Sequence, residues 1–129
     1  MQPSPDPVPA PDEALSRLAS EQNIWFSSVR LDGRPHLAPV WFVAHAGRIY
    51  IGTDPGSVKS RNVRANPRVT LALEEGTHPV ICEGLARVVD PPWGDALLAA
   101  FFQKYEWDLN KENQYNQVIE VTPVKWLTW

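Results

Sequence analysis

The chain has 129 residues, of which 43% are hydrophobic and 13 are prolines, and it carries a net charge of -3. This composition provides one compact core and not two, so we expect a single domain. The mild acidity argues against broad nucleic-acid binding, because any basic patch must be local. The one cysteine, Cys82, rules out an intramolecular disulfide, and no apolar run approaches the roughly 18 residues of a membrane span. We therefore expect a cytoplasmic protein with no membrane partner.

The first eleven residues carry proline at positions 3, 5, 7, 9 and 11. Proline removes backbone donors and favours extended conformations, so we expect residues 1–11 to be a disordered leader outside a single domain of residues 12–129. Asp12 is then predicted to cap a short helix over residues 13–21, because apolar residues recur there at helical spacing.

Alternation of apolar and polar residues predicts strands over most of the remaining chain. The predicted strands cover residues 23–29, 34–44, 48–53, 68–75, 79–89 and 117–129. The dipeptide Asp32-Gly33 predicts a tight hairpin between the first two strands. Pro35 and Pro39 cannot donate to a ladder, so part of the second strand is expected to be an edge, a bulge or a face open to a ligand.

Two further helices are predicted between the later strands. One is a short basic helix beginning near Ser57, and the other follows Asp90 and carries a mostly apolar stripe from Trp93 to Lys104. Six strands and few helices predict a mainly β fold, a six-stranded antiparallel barrel with two or three short helices.

The segment at residues 52–68, GTDPGSVKSRNVRANPR, has the features of a phosphate site. Ser57 is a good N-cap, Lys59 follows in the first helical turn, and no acidic residue occurs from Pro55 through Leu73. The helix dipole and the cationic side chains therefore add without cancellation, which favours an anionic ligand. The alternative is a solvated basic helix face, which such charge runs usually are.

The runs GRPHLAPVWFVAHAGRIYIGT, GSVKSRNVRANPRVTLAL and EGLARVV, followed by KYEWD and VIEVTPVKWLTW, resemble the pyridoxamine 5'-phosphate oxidase-like split-barrel flavoproteins, including their deazaflavin-using branch. The resemblance implies an FMN-binding split β-barrel. It also implies a homodimer that holds FMN, or alternatively coenzyme F420, in a groove between its subunits, with the phosphate on the turn and the basic helix.

The resemblance implies two groups of cofactor-binding residues. They are Thr53, Ser57, Lys59 and Arg61 in the phosphate segment, and Leu37, Ala38, Pro39, Val40 and Trp41 in the second strand. This sequence departs from the FMN-dependent oxidases at Val58, where their arginine is absent, and no arginine follows Arg87 to grip a substrate phosphate. Oxidation of pyridoxamine phosphate itself is therefore not expected, and no catalytic residue is assigned.

The function that the resemblance implies is a flavin- or deazaflavin-dependent oxidoreductase that transfers hydride to or from a small organic substrate. The alternative is a non-catalytic split barrel that binds a cofactor or haem. Trp41 is expected either to stack on ring or substrate or to lie in a dimer interface. His36, His45 and His78 lack the spacing of metal ligands, so no metal site is predicted, and His36 is kept as a candidate acid or phosphate contact.

Overall fold

The computed structural model describes residues 5–129. Its strands are β1 (Asn23–Val29), β2 (Pro35–His45), β3 (Arg48–Thr53), β4 (Arg68–Leu73), β5 (Val80–Val89) and β6 (Gln117–Thr128). The helices are α1 (Asp12–Ser20), α2 (Val58–Ala65) and α3 (Asp95–Tyr105), with a 3-10 turn at Leu109–Lys111. None of these helices is long and apolar enough to cross a membrane.

The six strands form a closed barrel in the order β1-β2-β3-β6-β5-β4, with every neighbouring pair antiparallel. This confirms the predicted mainly β, six-stranded barrel with few helices. Alternate residues such as Phe26, Phe42 and Leu71 fill its interior, and α1 packs on the same core through Leu18. Cys82 is buried there, and burial raises the pKa of its thiol to about 12.

The barrel is split along one half of β2. Residues 35–41 pair with β1, whereas pairing with β3 is confined to residues 42–45. The β3-facing edge of the first half of β2 therefore has no strand neighbour. This confirms the expectation from Pro35 and Pro39, because an open edge does not require the backbone donors that proline lacks.

Residues 5–11 lie against the barrel, where the sequence predicted a leader outside the fold. They form neither helix nor strand, yet Val8 N donates to Pro123 O at 3.0 Å and Trp126 Nε1 donates to Val8 O at 2.9 Å. Val8 stands between two prolines and keeps the backbone donor that they lack, so this extended segment can still bond to β6. The part of the prediction that concerns residues 1–4 lies outside the described residues.

The predicted starts of the first and third helices differ slightly from the structure. Helix α1 begins at Asp12 itself, after Pro11, so Asp12 is not the cap. Helix α3 begins at Asp95, after Gly94. Trp93 nevertheless packs with the apolar side of α3 against the outside of β2 and β6. That second apolar cluster consists of Val43, Trp93, Leu97, Phe101, Leu109 and Val118. It fixes the segment that follows α3 beside the split in the barrel.

Candidate functional site

A cavity of about 720 Å³ opens where β2 and β3 separate. Its walls are the open part of β2, the end of β3, the start of α2 and the segment that follows α3. The lining residues are Asn23, Pro39, Val40, Trp41, Gly52, Thr53, Asp54, Ser57, Lys59, Tyr105, Glu106, Trp107, Glu112, Gln114 and Tyr115. This volume is within the range of about 300–1,000 Å³ that is typical of small-molecule sites.

The first turn of α2 forms one end of the cavity. Ser57 caps the helix, since its Oγ accepts from Ser60 N at 3.2 Å, and it lies 3.1 Å from the hydroxyl of buried Thr53. Its own N–H donates to Asp54 O at 3.0 Å. Helix geometry then leaves the amides of Val58 and Lys59 without an intrahelical acceptor. These two N–H groups at a positive helix end can bind an anion.

Two opposite charges lie at this end. Burial lowers the pKa of Lys59, and the nearby Asp54 carboxylate partly offsets that effect. Asp54 also stabilises the turn, because its Oδ1 accepts from Gly56 N at 2.8 Å. The cation that faces the cavity is thus accompanied by one carboxylate, which limits how much negative charge this end attracts.

Buried hydrogen bonds attach α2 firmly to the barrel. Ser60 donates to the side chain of Gln117 on β6, and Asn62 Nδ2 donates to Ser28 Oγ on β1 at 3.0 Å. All four side chains are buried. Because these groups would be unsatisfied if the helix moved, the position of Lys59 relative to the barrel is fixed.

Aromatic rings form the other end of the cavity. Trp41 stacks on Tyr105 with ring centroids 4.4 Å apart, and Trp107 meets Trp41 edge to face at 5.9 Å. Trp107 lies over Gly52, where a Cβ would come within 2.4 Å of the indole. Glu106 ends α3 with a left-handed φ of 56° and so turns the chain toward this position.

Helix α3 holds β2 at the point where the barrel splits. Phe42 N donates to Tyr105 Oη at 2.9 Å, and this hydroxyl also lies 2.7 Å from the carbonyl oxygen of Gln22. Lys104 Nζ donates to Phe42 O at 2.9 Å and lies 3.7 Å from the centroid of the Phe42 ring. Burial lowers the pKa of Lys104 to about 8.

Glu112 is tied into the aromatic end by neutral donors. Its Oε2 accepts from Trp107 Nε1 at 3.0 Å, and its Oε1 accepts from the backbone N–H groups of Gln114 and Tyr115 at 3.1 and 3.2 Å. The two backbone bonds, followed by the indole bond, hold the pKa of Glu112 below its ordinary value. This carboxylate is therefore ionised at neutral pH.

The structure brings together six of the nine cofactor-binding residues predicted from the sequence. Those that line the cavity are Pro39, Val40, Trp41, Thr53, Ser57 and Lys59. Leu37, Ala38 and Arg61 lie outside its lining, although Leu37 and Ala38 belong to the open part of β2. The wall formed after α3 was not predicted, although the run KYEWD, which holds Tyr105 and Trp107, is among those that carry the family resemblance.

His36 also lies outside the cavity lining. Its Nδ1 is buried without a hydrogen-bond partner among residues 5–129. Burial lowers the pKa of His36, and the charges of Arg30 and Lys59 lower it further. In the described part of the chain, no group of three or more His, Cys, Asp or Glu side chains is arranged to hold a metal ion.

The sequence model of the pyridoxamine 5'-phosphate oxidase family matches residues 10–129. The chain belongs to this family. A comparison with curated proteins gives no significant match. Membership in the pyridoxamine 5'-phosphate oxidase family agrees with the split barrel and with the cavity at its opening.

Solved structures share the fold of this pyridoxamine 5'-phosphate oxidase-family protein. The conserved hypothetical protein Rv2991 from Mycobacterium tuberculosis is 24% identical with a TM-score of 0.76, covering 100% of this chain and 89% of its own. An F420 reductase is 22% identical with a TM-score of 0.73, over 91% and 98% of the two chains. HutZ, the heme storage protein of Vibrio cholerae, is 14% identical with a TM-score of 0.77, over 91% and 93%.

Proposed function

We propose that this protein is a flavin- or deazaflavin-dependent oxidoreductase that transfers hydride to or from a small organic substrate, with FMN as the first candidate cofactor and coenzyme F420 as the second. The observation that carries the proposal is the cavity itself. It joins an anion-binding helix end to an open strand edge and a partly exposed tryptophan. A phosphorylated ring cofactor needs an anion site for its phosphate and a flat surface with a hydrogen-bonding edge for its ring, both within one cavity.

The start of α2 fits a phosphate group. The amides of Val58 and Lys59, the Lys59 ammonium and the Ser57 hydroxyl offer donors of different kinds around one end of the cavity. Hydrogen bonds to a charged acceptor are the strong ones in proteins. With Asp54 beside Lys59, the local balance favours a single phosphate over a highly charged anion.

The open half of β2 fits the edge of a ring system. Between Leu37 and Trp41 the backbone can hydrogen-bond outward, since no strand pairs on that side. Trp41 is 44% exposed, so its indole is accessible to ligand despite the stacked Tyr105. A bound flavin or deazaflavin supplies the hydride chemistry, and the protein's residues would bind, orient and shield it.

We also propose that the protein is a homodimer. The β1–β2 hairpin exposes Trp25 and Leu37 on one face, by 37% and 61%, and Leu31 in its turn, by 86%. Adjacent large apolar side chains on a sheet face are typical of a protein interface. Because this face borders the open edge of β2, a partner seated on it would also border the cavity.

The alternative function is storage or transfer of haem, which the fold similarity to the heme storage protein HutZ raises. No His, Cys or Met is among the lining residues, which leaves tyrosine as the candidate axial ligand. The hydroxyl of Tyr105 is already engaged with Phe42 and Gln22, so Tyr115 is the candidate axial ligand among the lining residues. We favour a flavin or deazaflavin over haem, because the cavity offers haem one exposed tyrosine but offers a phosphorylated ring cofactor both a helix end and an open strand edge.

Titration of the purified protein with FMN, F420 and haem, each followed by its visible spectrum, tests the proposal. We expect FMN or F420 to bind at one site per chain, and a bound cofactor to turn over with a reductant and an acceptor. Binding of haem alone would contradict the oxidoreductase proposal. Binding of FMN or F420 without any turnover would favour a storage function.

The variant Lys59→Ala tests the phosphate site directly. We expect it to weaken cofactor binding by about 1.5 to 3 kcal/mol, the range for a hydrogen bond to a charged group. Arg61→Ala is the matched control, because it removes the same charge from the same helix outside the cavity lining. Equal dissociation constants for wild type and Lys59→Ala would exclude this phosphate site.

A further inference from the structure

We infer that the substrate of the proposed oxidoreductase is a planar organic cation without a phosphate group, bound at the aromatic end of the cavity. This inference rests on the proposed function, because it assigns the substrate part of the same cavity. The cofactor phosphate would occupy the α2 end, so the substrate would lie among Trp41, Trp107, Tyr115 and the two glutamates beside them.

Charge is distributed unevenly along the cavity. Lys59 is the cationic side chain of its lining and lies at the α2 end, whereas Glu106 and Glu112 come from the segment that follows α3. None of the salt bridges in residues 5–129 involves either glutamate. Neither glutamate is therefore neutralised by an ion pair, although Lys104 Nζ lies 5.3 Å from the centroid of the Tyr105 ring.

Glu112 is held in place as an anion. Three neutral N–H groups orient its two oxygens, and its pKa lies below the ordinary value. Neutral donors fix a carboxylate without cancelling its charge, which stays available to attract a positively charged ligand.

The aromatic rings add to this preference for a cation. The Trp107 N–H donates to Glu112, and the carboxylate makes the indole face more electron-rich. Trp41 is 44% exposed and Tyr115 is 47% exposed, so both rings offer surface to a ligand. A flat cation can stack on such faces and lie close to the carboxylate at the same time.

The same features exclude a phosphorylated substrate from this end. The lining contains no arginine, and its one lysine lies on α2 beside Asp54. An anion next to Glu106 and Glu112 would be repelled by both carboxylates. The substrate would therefore differ in charge from the cofactor's phosphate, and the two ligands would occupy different parts of one cavity.

Three ligands with the same ring system test the inference by isothermal calorimetry on the full chain, with and without FMN. They are the cation N-methylquinolinium, the uncharged methylquinoline lepidine and the anion cinchoninate. We expect N-methylquinolinium to bind at least about fivefold more tightly than lepidine, with cinchoninate weakest. Added salt should reduce the advantage of the cation. Equal affinity of N-methylquinolinium and lepidine would overturn the inference.

Three variants then test whether the preference for the cation comes from the cavity. Glu112→Gln and Glu106→Gln should each reduce the cation's advantage, and the exposed Glu74→Gln is the control that should keep it. If both cavity variants kept the full preference for the cation over lepidine, the inference would be contradicted. If Glu112→Gln fails to fold, Glu106→Gln by itself provides the test.

The failure of this inference can be distinguished from the failure of the proposed function. If FMN binds and the cation has no advantage, only this inference fails. If the cation is preferred but neither FMN nor F420 binds, the oxidoreductase proposal fails and the cation site stands.

Discussion

Trp41 and Tyr105 stack with their ring centroids 4.4 Å apart and their planes within 5° of parallel, although one belongs to β2 and the other to the end of α3. The stack covers one face of Trp41, and the side chain remains 44% exposed. It also brings the Tyr105 hydroxyl to Phe42, the first residue of β2 that pairs with β3. The contact thus links the open edge of β2 to the aromatic end of the cavity.

Tyr105→Phe removes this hydroxyl and retains the ring. Phe42 N then loses its acceptor and the Gln22 carbonyl its donor, so we expect a loss of about 1 to 3 kcal/mol in the free energy of unfolding. Urea denaturation measures it. Tyr115→Phe is the control, because Tyr115 is exposed and no hydrogen bond from its hydroxyl is present in residues 5–129. Equal stability of the two variants would contradict a structural role for the Tyr105 hydroxyl.

The strands could be predicted from the sequence because their signals are local. Alternation places Ile24 and Phe26 on one side of β1, and Asp32-Gly33 specifies the following turn wherever the chain packs. The phosphate segment could be predicted for the same reason, because its N-cap, its glycine turn and Lys59 lie within a few residues of one another. Pro39 identified the open edge for the same reason.

The aromatic wall could not be predicted because it depends on distant contacts. Trp107, in the segment after α3, reaches the cavity only because Gly52 on β3 leaves room for its indole. The segment after α3 has no periodic pattern, so its position follows from packing against Phe101 and from the bond to Glu112. The contact of Val8 with β6 was missed for a similar reason, since composition describes a proline-rich segment and not its neighbours.

Gly52→Ala tests the close approach of Trp107. The new Cβ would meet the indole at 2.4 Å, and the ring is confined by Phe101 and Trp41, so it must move out of the cavity. We expect a loss of about 1 to 3 kcal/mol of stability, as in other overpacked sites. Tryptophan fluorescence and near-ultraviolet circular dichroism should change with it.

Gly76→Ala is the control for this substitution, because nothing lies within 4 Å of its added Cβ and its φ is not in the left-handed region. The control should retain the wild-type fluorescence and cofactor affinity. An unchanged spectrum in Gly52→Ala would mean that Trp107 does not occupy the position over Gly52 in solution.

Lys104 should make stability depend on alkaline pH. Its pKa is about 8 in the folded protein, against an ordinary value of 10.5, so the unfolded chain binds a proton that the folded protein has released between these values. Stability relative to Lys104→Met should therefore rise as pH increases through that window and stay constant below it. Urea denaturation across the pH range measures this difference.

The comparison with Lys104→Met removes the contributions of other groups. Burial raises the pKa values of Cys82 and Tyr50 to about 12, and these groups titrate alike in both proteins. Lys125→Met is the control, because it makes the same substitution at an exposed lysine. A wild-type advantage that is flat across the window would show that Lys104 keeps an ordinary pKa.

Asp54→Asn should strengthen anion binding at the start of α2. Asparagine keeps the oxygen that accepts from Gly56 N, so the turn is retained while the negative charge beside Lys59 is removed. Two unit charges a few ångströms apart in water interact by about 1 kcal/mol, so we expect roughly two- to fivefold tighter binding of inorganic phosphate or FMN. Calorimetry measures the binding of both ligands at low salt, where screening is weakest.

Asp32→Asn is the matched control for this substitution. Asp32 also accepts a hydrogen bond from the backbone N–H two residues further on, but it lies outside the cavity lining. Tighter binding in both variants would indicate a general effect of net charge, and unchanged binding in Asp54→Asn would place the anion away from this turn.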